Sequence, residues 1–214
     1  MRFPKTLAVF ALIGAATVPA LAIQESAPAL PGQVDVSRVS GGTYVTDPSH
    51  TLVAWSVNHF GFNDYYGAFG DVEGTLQIDP ANPGAAMVDV TIPITSVSVV
   101  SEGLRDHLLR PGKDGGDPDF FGAEPEAARF VSTRVVVNGT SADITGNLTM
   151  NGITRPVTIG AVFTGAGKNP MSDVETIGFE GTTTIMRSQF GIDYALPIVS
   201  DEVTLTISAA FEKQ

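Results

Sequence analysis

From Thr43 onward, apolar and polar residues alternate with a period of two along most of the chain. Turn-forming sequences separate the alternating runs, among them residues 79–84 and the Asn-Gly pairs at 138–139 and 151–152. Successive side chains of a strand point to opposite faces, so each run predicts a strand with one apolar and one polar face. Such strands, joined by short turns, predict an all-β fold built as an antiparallel barrel with an apolar interior.

Several positions on the predicted inner face are small. Strand glycines often mark bulges and corners, but together with an apolar interior these positions favour a cavity. A barrel of about eight strands can either be filled by its own side chains or hold one small ligand. The small inward residues are Gly70, Gly74, Gly146, Ala161, Gly181 and Ala209.

One short helix is predicted over residues 101–109. Ser101 is a suitable N-terminal cap, and Leu104, Leu108 and Leu109 form a single apolar stripe. A loop rich in Gly, Pro and Asp follows at residues 111–118. We expect the helix to plug or flank the barrel.

Aromatic and apolar residues on a few elements are candidates for the lining of the cavity. Val53, Trp55, Val57 and His59 share one face of a strand, and two Phe-containing segments, residues 60–62 and 120–121, are candidates for an aromatic mouth. Trp55 can equally be an ordinary core residue. For the second segment, docking onto the barrel end is the preferred interpretation. The candidate ligand-binding residues are Val53, Trp55, Val57, His59, Phe62, Phe69, Phe120, Phe121, Leu148, Phe163 and Phe179.

The charge and the N-terminus restrict the partners and the compartment. The formal net charge is −11, and the few Lys and Arg residues are scattered, which argues against nucleic acid as a partner. Residues 1–22 have the basic start, apolar run and small-residue cleavage site of a signal peptide ending near Ala22, which predicts a periplasmic or secreted protein. Residues 23–42 are predicted as a flexible leader and residues 43–214 as the barrel domain. No stable membrane insertion is expected, and the sequence is compatible with either a monomer or a homodimer.

The residues give no positive sign of catalysis or of a metal site. The chain has 0 Cys and none of the common nucleophile, zinc or phosphate-loop motifs, and His50, His59 and His107 lie in separate elements. His107 has two possible roles, as a hydrogen-bonding partner of a ligand head group or as a structural link between helix and strand. We therefore predict no catalytic residue, no metal ligand and no required cofactor.

Four motifs carry a resemblance to a known family. They are the hairpin at residues 148–157 with Asn-Gly and Arg-Pro steps, the segment 69–74, Arg-Asp-His-Leu at 105–108, and residues 187–191. The chain resembles the YceI-like family over residues 43–211. The resemblance implies an extended lipocalin-like antiparallel barrel with a long apolar pore for an isoprenoid chain. Residues 109–118 depart from the family pattern, in which His107-Leu108 runs closely into the Phe pair.

Two functions from different classes follow. The first is a soluble periplasmic protein that holds a polyisoprenoid lipid or an isoprenoid quinone inside the barrel, for transport, storage or sequestration. The alternative is a non-enzymatic envelope stress or interaction module with a packed barrel core. An enzyme acting on lipid is the third possibility, and no residue pattern supports it.

Overall fold

The structure, a computed structural model, describes residues 29–214, so the predicted signal peptide lies outside the described residues. The single α-helix of this part is seven residues long, and no helix there is long and apolar enough to cross a membrane. The elements are β1 Gly42–Thr46, β2 Leu52–His59, β3 Asn63–Phe69, β4 Glu73–Ile78, β5 Met87–Ile92, β6 Ser98–Val99, α1 Glu102–Leu108, β7 Ala128–Asn138, β8 Ser141–Met150, β9 Ile153–Lys168, β10 Glu175–Met186 and β11 Glu202–Lys213.

Eight of these strands form a closed antiparallel barrel in the order β1-β4-β5-β7-β8-β9-β10-β11. Pairing of β1 with the last residues of β11, such as Thr46 with Phe211, closes the ring. The first half of β11 pairs instead with β2, which continues into β3 and β6. The predicted antiparallel barrel of about eight strands with one short helix is therefore confirmed.

The end of the barrel that contains the start of β7, the end of β8 and the end of β10 is packed with side chains, and we call it the closed end. Leu108 of α1 is buried there, and the Ser101 side chain accepts a hydrogen bond from Leu104 N, which confirms the predicted cap. The buried residues of this cluster are Phe69, Val72, Ile92, Ile94, Val97, Leu108, Ala128, Phe130, Leu148, Met150, Ile185, Phe190, Ile192 and Val203.

A buried arginine organises the loop that covers the closed end. Arg187 follows β10 and is only 4% exposed. Its guanidinium donates to four backbone carbonyls between residues 192 and 200, at 2.8 Å for Ser200 O, 2.9 Å for Tyr194 O, 3.0 Å for Val199 O and 3.1 Å for Ile192 O. The fixed fork of donors matches carbonyls from several turns of the loop at once. One side chain thus holds the whole loop against the barrel.

The segment before β1 is docked on the barrel from Gln33 onward. Gln33 N donates to Ala166 O at 3.0 Å, and Ala166 N donates to Gln33 O at 2.9 Å. A short 3-10 helix, Val36–Arg38, begins at a cap formed by Asp35, whose carboxylate accepts from Ser37 N. The predicted flexible leader, residues 23–42, therefore contains a part that has backbone pairing and a helical turn of its own.

Tyr44 of β1 lies at the centre of a hydrogen-bond network at the other end of the barrel. Its side chain is fully buried, and its hydroxyl lies within hydrogen-bond distance of two acceptors, 2.6 Å from Ser40 O and 2.5 Å from Glu175 Oε1. Glu175 also accepts from Ser40 N and Ser40 Oγ. Burial, and then the hydrogen bond to the Glu175 carboxylate, raises the pKa of Tyr44 to about 12.

We expect Arg187→Met to lower the free energy of unfolding by about 3 kcal/mol, because four buried or half-buried carbonyls lose a charged donor. Urea denaturation measures this change. Arg155→Met is the matched control, because the exposed Arg155 donates only to the carbonyl of its own neighbour Thr154 and should change stability by less than about 0.5 kcal/mol. Equal effects of the two substitutions would contradict the role assigned to Arg187.

The raised pKa of Tyr44 predicts a loss of stability at alkaline pH. Between its ordinary value near 10 and about 12, the unfolded chain releases this proton while the folded protein keeps it. The urea midpoint should therefore be steady below pH ~10 and fall as the pH rises through this window. In Tyr44→Phe the fall should be shallower, although the variant is less stable at neutral pH. A fall of the same steepness in both proteins would show that other groups cause it.

Candidate functional site

The half of the barrel that lies farther from the closed end contains a cavity of about 520 Å³. This volume lies within the range of about 300–1,000 Å³ typical of small-molecule sites. All eight barrel strands and the segment before β1 contribute to its wall. Wall residues from the strands include Thr46, Leu76, Val88, Val90, Ile92, Phe130, Val135, Val137, Ile144, Leu148, Val157, Ile159, Ala161, Phe163, Phe179, Gly181, Leu205, Ile207, Ala209 and Phe211, and Thr51 and Val53 lie at the start of β2.

Strand alternation places these side chains. On β11, Leu205, Ile207 and Ala209 border the cavity, whereas Thr206 and Ser208 between them are exposed outside. β9 follows the same rule, and its residues 157, 159, 161 and 163 all face inward. The predicted apolar interior is thus observed, and the inner faces of the strands meet around a space rather than interlocking throughout.

Three of the small inward residues leave room for the cavity, and others do not. Ala161, Gly181 and Ala209 lie on its wall. At Gly146, in contrast, a Cβ atom would lie 2.4 Å from Phe130 Cζ, so the phenyl ring already occupies that space.

Gly74 has a similar role on β4. A Cβ atom there would lie 2.3 Å from Asp89 O of the neighbouring strand. Neither Gly74, Gly146 nor Gly70 borders the cavity. The prediction that all the small residues contribute to a cavity is therefore wrong for these three positions.

The cavity wall is almost entirely apolar. Thr46 and Thr51 are its buried polar residues, and the Thr51 hydroxyl is satisfied by Ala210, donating to its carbonyl and accepting from its N–H, both at 3.2 Å. Glu180 borders the cavity, but it is exposed and pairs with the outward residues Val162 and Ser208. An ionised group inside would find no partner there, so the site suits an uncharged, apolar guest.

The mouth of the cavity lies at the end opposite the closed end. The β7–β8 turn at residues 138–141, the segment Val36–Val39 and the prolines Pro80 and Pro83 frame it. Val36 and Val137 border the cavity and are at the same time 56% and 40% exposed. Hydroxyl groups of Ser37, Thr140 and Ser141 also lie at this opening.

Four of the candidate ligand-binding residues lie on the cavity wall. They are Val53, Leu148, Phe163 and Phe179. Trp55, Val57, Phe69, Phe120 and Phe121 belong instead to the packed cluster of the closed end. Gly67 on β3 makes this packing possible for Trp55, because a Cβ atom on Gly67 would lie 2.3 Å from Trp55 Cζ2.

The predicted aromatic mouth is not the mouth of the cavity. The β2–β3 turn lies at the closed end, where Phe60 N donates to Ile198 O and His59 pairs with Val199. His59 stacks on Phe60 with ring centroids 4.0 Å apart, and Phe62 is 86% exposed. Neither His59 nor Phe62 reaches the cavity. The β2–β3 hairpin pairs with β11 outside the ring, and its turn lies at the closed end, away from the mouth. The pair Phe120-Phe121 docks at the same closed end, which was the preferred interpretation for that pair.

His107 has a structural role, but it links helix α1 to two loops and not to a strand as predicted. Its Nε2 lies 2.7 Å from Asp119 Oδ2, and Arg110 donates to the same oxygen at 2.7 Å. Hydrogen bonds from Arg110 and then His107 hold the pKa of Asp119 below its ordinary value. His107 also packs edge-on against Phe120 and Tyr194. Between residues 29 and 214, no group of three or more His, Cys, Asp or Glu residues is placed to hold a metal ion.

Sequence reasoning missed two kinds of wall residue. Leu76, Val90, Ile144, Leu205 and Ile207 carry the period-two signal and could have been selected by parity alone. Val36 and Ser37 carry no such signal, because they lie in the docked segment before the first strand.

A closed antiparallel barrel around an apolar cavity that opens at one end defines a lipocalin-like barrel, a class that can enclose one small ligand. Comparison with known proteins identifies the family within this class. A family model described as the YceI-like domain matches residues 44–211. The chain therefore belongs to the YceI-like family, as the sequence motifs indicated.

Individual relatives agree with this assignment. A UPF0312 protein of Pseudomonas paraeruginosa is 42% identical over 161 residues, which cover 74% of this chain and 80% of the relative. Among solved structures, Burkholderia cenocepacia BcnA has a TM-score of 0.65 at 24% identity, covering 77% of this chain and 98% of that one. A polyisoprenoid binding domain from Saccharophagus degradans has a TM-score of 0.55 at 12% identity, with coverages of 80% and 98%. These two likenesses show a shared fold.

Proposed function

We propose that this protein is a non-enzymatic carrier that holds the chain of a polyisoprenoid lipid or an isoprenoid quinone in the barrel cavity. The observation that carries the proposal is the apolar cavity of about 520 Å³ with its framed mouth. The structural neighbour described as a polyisoprenoid binding domain supports the choice of ligand class. The alternative, an interaction module, would have a fully packed barrel interior. The interior of this barrel contains the cavity instead.

The energetics of burial favour such a role. Each methylene group removed from water contributes about 0.8 kcal/mol, so burial of two isoprene units offers roughly 8 kcal/mol before the cost of association. No charged side chain has to be desolvated inside the cavity, because its wall is apolar apart from satisfied or small hydroxyl groups. The binding energy therefore comes from contact area.

The volume limits the length of the buried chain. If a methylene-sized group occupies about the 30 Å³ of a water molecule, a cavity of about 520 Å³ holds roughly 17 carbon atoms, or about three isoprene units. In our proposal a longer chain, or a quinone ring, extends through the mouth beside Ser37, Thr140 and Ser141.

The proposal also includes a compartment. The apolar run and small-residue cleavage site of residues 1–22 support export of the mature chain to the periplasm or beyond. In water, outside any membrane, an isoprenoid chain needs shelter to stay dispersed, which a closed barrel supplies.

Filling the cavity should abolish ligand uptake without unfolding the protein. Ala161 lies on the cavity wall in the middle of β9, so Ala161→Trp places an indole where the guest would lie. Displacing even two methylene groups should weaken binding more than tenfold. Fluorescence titration with retinol, an uncharged polyene alcohol, measures the affinity, and circular dichroism checks the fold.

Gly160→Trp is the matched control for this experiment. Gly160 is the preceding residue of the same strand and faces outward, and a Cβ atom there would have only Thr182 O within 4 Å, at 3.9 Å. The control variant should bind the probe like the unmodified protein. Unchanged uptake in Ala161→Trp, with the fold intact, would refute the cavity as the binding site.

Affinity should depend on chain length up to the capacity of the cavity. For isoprenoid alcohols of one to five units, we expect the affinity to rise with each unit up to about three units and then to level off, because further carbons remain outside. The rise in melting temperature with excess alcohol reports the same trend, since a ligand that binds only the folded state stabilises it. A steady increase through five units would show that the barrel opens further than the structure indicates.

A further inference from the structure

The segment before β1 forms one side of the mouth, and we call residues 31–39 the strap. Val36, Ser37 and Val39 of the strap border the cavity. The β7–β8 turn and residues 79–86, which frame the rest of the mouth, each connect two neighbouring barrel strands and are held at both ends by the ladder. The strap, in contrast, leads into a barrel strand only at its C-terminal end.

The strap is attached to the barrel through a single residue, Ala166. Among the described residues, its three hydrogen bonds to barrel strands all involve the backbone of Ala166. Two are exchanged with Gln33, at 3.0 and 2.9 Å, and one comes from Arg38 Nη1, at 3.2 Å. Gln33 and Arg38 are exposed, so water replaces these bonds when they break. Detachment of the strap therefore costs little compared with the separation of two paired strands.

Internal hydrogen bonds give the strap a shape of its own. Asp35 caps its 3-10 helix, and Arg38 Nη1 donates to Pro31 O at 3.0 Å, which joins the two ends of the strap. Ser40, directly after the strap, is fixed, because its N–H and its hydroxyl both donate to the Glu175 carboxylate. These contacts allow the strap to move as one piece about a pivot at Ser40.

Two glycines of β9 make room for the strap. A Cβ atom on Gly167 would lie 2.0 Å from Pro31 O, and a Cβ atom on Gly165 would lie 3.3 Å from Gln33 N. Both glycines lie in the part of β9 that extends beyond its pairing with β8, which ends at Val162. This edge of β9 thus lets the strap lie directly against its backbone.

We propose that the strap is a lid on the cavity. It swings away from β9 to admit an isoprenoid chain and then closes, so that Val36 and Val39 contact the bound chain. The inference rests on the proposed function, because it supplies the route by which the chain enters and leaves. Opening of the strap sets the rates of uptake and release and leaves the capacity of the cavity unchanged.

An engineered disulfide between positions 33 and 166 tests the lid. Residues of an antiparallel pair that exchange both hydrogen bonds have Cα atoms about 5.5 Å apart, which suits a disulfide. The chain has 0 Cys, so Gln33→Cys/Ala166→Cys introduces the only two thiols. In stopped-flow fluorescence, we expect retinol to associate about tenfold more slowly with the oxidised variant than with the same variant after reduction.

Thr182→Cys/Thr206→Cys is the matched control for cross-linking. Thr182 and Thr206 lie opposite each other on β10 and β11 and are exposed on the outer surface. The ladder already holds these two strands together, so oxidation of the control should not change the association rate. Equal rates for the oxidised and reduced strap variant, with the disulfide verified by mass spectrometry, would overturn the lid, and so would equal slowing in the control.

A second variant tests the lid without a disulfide. In Gly167→Ala the added methyl group meets Pro31 O, so the strap cannot lie on β9, and both uptake and release of retinol should become faster. Gly160→Ala is the control, because a Cβ atom there has only Thr182 O within 4 Å, at 3.9 Å. Unchanged rates in Gly167→Ala would contradict the lid.

Equilibrium binding separates the lid from the proposed function. The reduced strap variant and the unmodified protein should bind retinol with the same affinity, because neither Gln33 nor Ala166 borders the cavity. Normal affinity, with rates that respond neither to the disulfide nor to Gly167→Ala, would overturn the lid alone. Absence of retinol binding to the unmodified protein would overturn the carrier function, and the lid with it.

Discussion

The structure depends on how the last strand, β11, divides its hydrogen bonds. One edge of β11 pairs with β10 along residues 202–212, and the other edge is shared, with β2 on residues 204–208 and β1 on residues 211–213. Closure through this shared edge leaves no open sheet edge in the ring. Because the ring is complete, water can reach the apolar interior only through the ends of the barrel. One end is packed with side chains, and the other contains the mouth of the cavity.

The two ends of the barrel are packed to different extents. Residues from α1, the loop held by Arg187 and the aromatic pair at 120–121 pack the closed end. At the other end a smaller buried cluster forms around Tyr44, with Phe163, Ile177 and Phe211 of β9, β10 and β11. The mouth lies between these strands and the β7–β8 turn. The cavity therefore lies between a large packed cluster at one end and a smaller packed cluster at the other, and it opens beside the smaller one.

The alternation predicted the fold and the inward faces correctly because strand parity is a local property. Whether an inward glycine borders the cavity is not a local property, because it depends on side chains from other strands. Gly146 and Gly181 carry the same signal in the sequence, yet they differ in the fold. The phenyl ring of Phe130 fills the space at Gly146, whereas Gly181 borders the cavity and has only the side chains of Ile159 and Ile207 close to it. The prediction of the aromatic mouth was wrong for a related reason, because the position of Phe62 depends on the pairing of β2 with β11, a strand far away in the sequence.

The apolar wall and the single mouth of the cavity together determine which ligands the protein can distinguish. Burial of a chain in an aliphatic cavity scales with area and distinguishes poorly between guests of similar length. A polar group left unpaired inside costs more than a methylene group gains, so the wall rejects polar chains without choosing among apolar ones. Under the proposed function, the choice among isoprenoids then falls to the part of the ligand outside the cavity. Ser37, Thr140 and Ser141 at the mouth are the side chains that this part would meet.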